Sequence, residues 1–153
     1  MRISIILTML LVLAVGLWGA ARFNDNGDGT VTDNGTGLVW QKCSGGQNAS
    51  DCSGTAAYPN WQGALQYCLN LPLAGKSWRL PSVNELKSIV DYSTSFPAIN
   101  TAFFPNTQTA HYWSSSTYVY DEDTAWIVNF FSGHVGNYDK TDIAFVRCVS
   151  DGP

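Results

Sequence analysis

Charge is scarce in this 153-residue chain, and positive charge is scarcer: Lys and Arg number eight, Asp and Glu twelve, and the formal net charge is −4. The basic residues beyond Arg2 are Arg22, Lys42, Lys76, Arg79, Lys87, Lys140 and Arg147, and they form no stripe. Phosphate neutralisation needs clustered Lys and Arg, so nucleic acid is excluded as a partner class. Catalytic signatures are missing as well. There is no G-x-S-x-G, no H-E-x-x-H and no P-loop. Histidine occurs twice, as His111 and His134. His111 lies near Ser114, Ser115 and Ser116, but these share one strand, whereas a nucleophile and its base normally meet from different elements. The run Asp121-Glu122-Asp123 is of the kind that solvated loops carry. No C-x-x-C pair exists, which argues against a four-cysteine zinc site. Without any such constellation the chain reads as a non-enzyme.

A long apolar run is lacking too. Ile3 to Trp18 carries no charge but is short for a membrane span, which needs roughly 20 residues. Met1-Arg2 precedes it, and the small residues Gly19-Ala20-Ala21 follow. That order is expected of a signal peptide spanning 1–21, cut after Ala21. No Cys follows the cut, so a lipid anchor is not expected. The mature chain, 22–153, is then one exported domain that is periplasmic, cell-surface or secreted. Only the signal segment would touch membrane.

Cysteine is what this segment does have. Cys43, Cys52, Cys68 and Cys148 all fall in it. An even count in an exported chain reads as disulfides, and four cysteines allow three pairings. Spacing favours Cys43–Cys52, closing a polar loop, and Cys68–Cys148, closing most of the domain. Oxidised cysteines supply no thiolate nucleophile.

The order of elements is strands, two helices, a long loop, then strands. Thr30-Val31-Thr32 and Leu38 to Gln41 flank Asn34-Gly35, a tight-turn signal. Asn24 to Gly29 is a second turn cluster. Asn60 can cap a helix starting at Trp61. Trp61, Ala64, Leu65, Cys68 and Leu71 share one face of it, so Cys68 points inward; Pro72 ends it. Ser82 and Glu85 form a capping box for a second helix from Val83, with Val83, Leu86, Ile89 and Val90 buried. Ser93 to Ala110 reads as loop. Strands are expected at His111 to Ser115, Ala125 to Phe131 and Ala144 to Val149, with Gly133 and Gly136 marking a turn. The fold class is α+β: an antiparallel sheet with two helices and long loops, stapled by disulfides.

The binding candidate lies in the C-terminal third. Strand alternation puts Trp126, Val128 and Phe130 on a core face and Ile127, Asn129 and Phe131 on the opposite one. Around them lie Tyr118, Tyr120, Asp121, Asp123, His134, Asn137, Tyr138 and Asp139. Tyrosines mixed with Asn, Asp and His give rigid aromatic area plus adaptable hydrogen bonding, the chemistry of paratopes and of sugar sites. No cofactor or metal is implied. Calcium is the one ion to consider, because Asn24, Asn26, Asp28 and Gly29 match the opening of an EF-hand loop. The twelfth place is Gly35, however, where a bidentate Glu is needed. A tight Asn/Gly turn is the better reading.

Longer motifs carry a family resemblance. Phe23 to Asp33 followed by Thr36-Gly37-Leu38-Val39-Trp40, then Trp78-Arg79-Leu80-Pro81-Ser82-Val83-Asn84-Glu85-Leu86, then Tyr112-Trp113-Ser114-Ser115, Ala125-Trp126 and Phe145-Val146-Arg147-Cys148-Val149, together resemble the C-terminal domain of the Legionella collagen-like adhesin. The resemblance covers nearly all of the mature chain. It implies a C-type-lectin-like fold with structural roles for Trp40, Trp78, Trp113 and Trp126, and a disulfide from first helix to last strand, Cys68–Cys148. That adhesin binds sulfated glycosaminoglycans, but this chain is acidic and lacks the basic cluster. The E-P-N, Q-P-D and W-N-D motifs of calcium-dependent lectins are absent, as is the reactive cysteine pair of the similarly folded formylglycine-generating enzyme. The implied function is adhesin-like recognition of a glycan or surface protein through Tyr118 to Asp142. Two alternatives follow. One is a variable protein of a diversity-generating retroelement, which the Tyr/Asn/Asp/Ser/His richness of Ser116 to Asp142 would fit. The other is a structural envelope domain that assembles with itself as a homo-oligomer.

Overall fold

The computed structural model of the chain describes residues 21–152. The expected signal peptide, 1–21, lies outside the described residues apart from Ala21. Among the described residues no helix is long and apolar enough to cross a membrane.

Strand β1 (Phe23–Asp25), β2 (Thr30–Asp33) and β3 (Val39–Gln41) precede helices α1 (Trp61–Leu69) and α2 (Val83–Ser88). Strands β4 (His111–Tyr118), β5 (Asp121–Asn129), β6 (His134–Asp139) and β7 (Val149–Ser150) follow. The α+β class holds, but the strands form two antiparallel sheets where one was expected: β1-β2-β3-β7 and β4-β5-β6. The expected last strand, Ala144 to Val149, explains the difference. Its end pairs with β3, Trp40 opposite Val149, while Phe145 makes a single bridge to Tyr112 of β4. Between them its backbone serves both sheets in turn: Phe145 O accepts from Trp113 N, and Cys148 O accepts from Gln41 N. This segment is the joint between the sheets.

Both helices start where their caps require. Asn60 Oδ1 accepts the Gly63 N–H at 2.9 Å, and Ser82 with Glu85 completes a capping box. Helix α1 turns Ala64 and Cys68 inward, and α2 buries Leu86. In the turn after β1, Asp25 accepts from Gly27 N and Asp28 from Thr30 N, the Asx geometry that Asn/Asp/Gly clusters favour.

Strand β6 begins inside the turn that Gly133 and Gly136 are expected to mark. The turn is in fact confined to Asn129–Gly133, where the Gly133 N–H donates to Asn129 O at 2.7 Å and Gly133 takes a φ of +80°. Gly136 sits inside the strand opposite Ile127. An edge strand with one Val and mostly polar neighbours carries little periodic signal.

Hydrophobic clusters lie on both faces of the β4-β5-β6 sheet. One gathers Phe23, Trp40, Leu86, Phe104, Tyr112, Val128 and Phe130; the other Cys68, Trp78, Trp113, Ala125, Ile127, Val146 and Cys148. Ile127, read as outward-facing, is therefore core at 2% exposed. The alternation along β5 is correct, but both of its faces are covered. Trp40, Trp78 and Trp113 are buried as the resemblance implied, whereas Trp126 is half-buried.

Both favoured disulfides form, Cys43–Cys52 and Cys68–Cys148, with Cα separations of 5.0 and 5.5 Å. The second ties α1 to the joint between the sheets. Two formed disulfides fit an oxidising compartment outside the cytoplasm.

A polar clamp secures α2 to the chain end. Arg79 donates to both carboxylate oxygens of Glu85, at 2.9 and 2.7 Å, and also pairs with Asp151. The Arg79 guanidinium, with help from the Ser82 N–H, holds the Glu85 carboxyl down at about 2 against an ordinary value of 4.5. A carboxyl depressed in the folded state stabilises fully above its unfolded value, and that stability drains away as pH falls from about 4.5 toward 2. Glu85→Gln is expected to flatten this acid limb while keeping a side chain that reaches the Ser82 N–H. Urea midpoints at several pH values between neutrality and the acid limb check it. An acid limb equally steep in both proteins would show that the clamp does not contribute.

Candidate functional site

The β4-β5-β6 sheet, a middle sheet between the two hydrophobic clusters, aligns His111 of β4, Asn129 of β5 and His134 of β6 in one row, since Asn129 pairs with both. Residues two along a strand share a face, so Tyr138 lies on the same face as His134, further along β6. Its hydroxyl reaches His111, 2.9 Å from Nδ1, and the two rings lie 4.6 Å apart. Burial, with a smaller contribution from His134, pushes the His111 imidazole below its ordinary value. That shift favours the neutral imidazole, with a ring nitrogen bonded to a phenol.

Beside this row is a shallow pocket of about 140 Å³ lined by Tyr58, Ala110, His111, Ile143, Ala144 and Phe145. Tyr58 and Ile143 are more than half exposed, and the Tyr58 ring lies 5.6 Å from that of Phe145. No charged side chain lines it. Its walls are uncharged and mostly apolar.

At the same end of the sheet, Phe131 and Phe96 meet edge-on at 4.2 Å. The Phe96 N–H donates to Phe131 O, and the Tyr92 hydroxyl to Gly133 O. Tyr92, Phe96 and Phe131 are all exposed, so they form an aromatic ridge.

The expected site residues thus separate into groups. Asn129, Phe131, His134 and Tyr138 gather at the pocket-and-ridge end. Tyr118, Tyr120, Asp121 and Asp123 lie at the opposite end, in the β4–β5 hairpin, where Tyr118 packs edge-on against Trp126 at 5.0 Å. Tyr120 is 85% exposed there. Asp121 accepts from Asp123 N and Asp139 from Thr141 N, so both carboxylates serve their own turns. Asn137 lies opposite Trp126, on the other face from Tyr138. Ile127 is core and touches no ligand surface.

Sequence reasoning missed Tyr58, Ile143, Phe145, Tyr92 and Phe96, and gave His111 no role because its neighbouring serines share its strand. Tyr58 meets Phe145 only because the joint between the sheets passes beneath the 43–59 loop, so no local signal could have found it. As for ions, no three His, Cys, Asp or Glu side chains converge among the described residues. In the Asn24–Gly29 turn, Asp25 holds the Gly27 N–H and Lys42, and Asp28 holds Thr30.

Residues 29–150 match the family model of the Lcl C-terminal domain. The chain belongs to the Lcl C-terminal domain family. The match runs from the first turn to β7, so the pocket, the ridge and the hairpin all fall inside this adhesin-associated domain. A search of the curated proteins finds no match.

Proposed function

We propose that this Lcl C-terminal domain is an exported, non-enzymatic, C-type-lectin-like adhesin module that captures an extracellular glycan at the pocket-and-ridge end of its middle sheet. The observation that carries this is the pocket itself: an uncharged, mostly apolar recess with a half-exposed tyrosine on one wall and a phenol-bonded imidazole on another. Aromatic rings suit the apolar faces of sugars, while His111, Tyr138, Asn129 and His134 offer neutral donors and acceptors for hydroxyls. The acidic chain and uncharged lining disfavour a sulfated chain as the group that enters.

The test is an array of glycans and surface proteins probed with the oxidised mature domain, with and without calcium. Tyr58→Ser and Ile143→Ser each lower capture by about tenfold or more, equivalent to roughly 1.4 kcal/mol. Both side chains are exposed, so the melting temperature should move by only about 2 °C. If both variants capture normally while Tyr120→Ser fails, the site is the hairpin instead. One observation favours a second reading: Val119 and Tyr120 are highly exposed at that hairpin tip. Self-assembly through it would give a stable oligomer in light scattering that Tyr120→Ser dissolves.

A further inference from the structure

The two edges of the β4-β5-β6 sheet differ. Along β4 the outward backbone groups are taken: Phe145 N donates to His111 O, Trp113 N to Phe145 O, and Ser115 N to Pro81 O. Irregularities also break the β4–β5 register. Strand β6 has neither protection. Its pairing with β5 runs unbroken from His134 to Asp139, and it holds no Pro and no Lys. The Lys140 N–H donates to Asp123 O, one step beyond the Thr124–Asp139 pair. Hydrogen-bonded pairs alternate along an antiparallel ladder. Tyr138, Gly136 and His134 therefore bond to β5, and Val135, Asn137 and Asp139 turn their backbone groups outward. Among the described residues nothing outside the hairpin bonds the backbone of Val135 or Asn137, and Asn137 is exposed.

Beside that edge, on the face opposite Tyr138, lies a recess of about 210 Å³ lined by Val83, Asn84, Lys87, Trp126 and Val135. Asn137 and Asp139 share this face with Val135, since residues two along a strand point the same way. Lys87 is the one charged side chain in the lining. It is exposed and takes part in none of the ion pairs among the described residues. A regular, open edge is a template for another strand. Here an unpaired cation stands beside it.

We propose that β6 pairs antiparallel with β6 of a second copy of this chain, about a two-fold axis through Asn137, joining the two three-stranded sheets into one. Outward groups bond only to outward groups. Of the registers this allows, Asn137 opposite Asn137 keeps the whole strand paired, and Val135 then faces Asp139 of the second copy. The axis runs perpendicular to the sheet, so both copies show the same face on the same side. Asp139 of the second copy therefore comes up beside Val135 on the recess face, within reach of Lys87. Its carboxylate, exposed and engaged only with Thr141 of its own turn, supplies the charge that Lys87 lacks. Symmetry makes this ion pair twice, and this match of charge to position favours a second copy over an unrelated strand. On the other face His134 meets Lys140 and Gly136 meets Tyr138. The Lys140 ammonium is already drawn onto the Trp61 ring and Glu122 O. Antiparallel pairing points the two pocket-and-ridge ends in opposite directions, which makes the dimer bivalent. A single strand pair with two exposed ion pairs buries little surface, so the association is weak.

The experiment is sedimentation velocity on the oxidised mature domain between about 10 µM and about 1 mM, the range in which so small an interface associates. We expect monomer at the low end and a growing share of dimer toward the high end. Asn137→Pro removes the outward N–H and leaves the bonds to β5, at a place where edge strands tolerate proline. It should stay monomeric throughout. Should that variant not fold, the exposed Lys87 carries the test: Lys87→Glu weakens association by about tenfold, and Lys87→Glu combined with Asp139→Arg restores it. A monomer at every concentration overturns the proposal. So does a dimer that Asn137→Pro or Lys87→Glu leaves intact, or a charge swap that restores nothing. A dimer dissolved by Tyr120→Ser overturns it too, since the contact would then be the β4–β5 hairpin.

Discussion

Trp113→Ala is expected to be the most damaging single substitution in the domain, costing about 3–5 kcal/mol. The indole is fully buried in the cluster between the middle sheet and α1. It sits opposite Ile127 on β5 and edge-on to Tyr138 at 6.3 Å. Its Nε1 donates to Pro59 O at 3.0 Å, next to the Asn60 cap of α1. Alanine would thus open a large cavity and strip a partner from a carbonyl beside that cap. Trp113→Phe separates the two contributions: it keeps much of the ring volume and loses only the hydrogen bond, so its cost should be clearly smaller. Small domains have about 5–15 kcal/mol in total, so the alanine variant should forfeit a large share of the stability. Denaturant titration followed by circular dichroism measures both. A loss under about 1 kcal/mol for Trp113→Ala would mean the sheet face is not packed as described.

The second large effect is removal of the Cys68–Cys148 bond. Cys68 and Cys148 are 80 residues apart in sequence, against 9 for Cys43 and Cys52. Constraining the unfolded chain is worth more for the longer loop: the chain-entropy relation gives about 4.5 against about 2.6 kcal/mol. Measured values for small secreted domains run about 2–5 kcal/mol. The long-range bond also has a packing role, since both sulfurs lie in the cluster with Trp78, Trp113 and Val146. The double variant Cys68→Ala/Cys148→Ala should therefore lose clearly more than Cys43→Ala/Cys52→Ala. Alanine avoids placing a polar hydroxyl in the core. Equal losses, or a larger loss for the short loop, would contradict this ordering.

The elements best read in advance are those whose signals are local. Asn60 and the Ser82–Glu85 box set the helix starts because capping involves residues three apart. The β2–β3 hairpin follows from a turn flanked by two short β-prone runs. The inward face of α1 placed Cys68 toward the core. Site residues fared unevenly for the same reason. Composition marked Asn129, Phe131, His134 and Tyr138, which gather at one end, but could not separate them from Tyr118 and Tyr120 at the other. Ile127 was misplaced because alternation tells which residues share a face, not whether that face is covered.

What the sequence determined by itself is the disulfide-stapled α+β class, the two helices, the cysteine pairing favoured by spacing, and the motifs of its family. Short-range hydrogen bonding and the periodicity of apolar residues carry that information. What only the tertiary structure decided is the division into two sheets, the burial of Ile127 and the Tyr58–Phe145 pocket. Each of these depends on the 144–148 segment crossing from one sheet to the other. That crossing reflects long-range competition for backbone partners and core volume, which no stretch of sequence encodes alone.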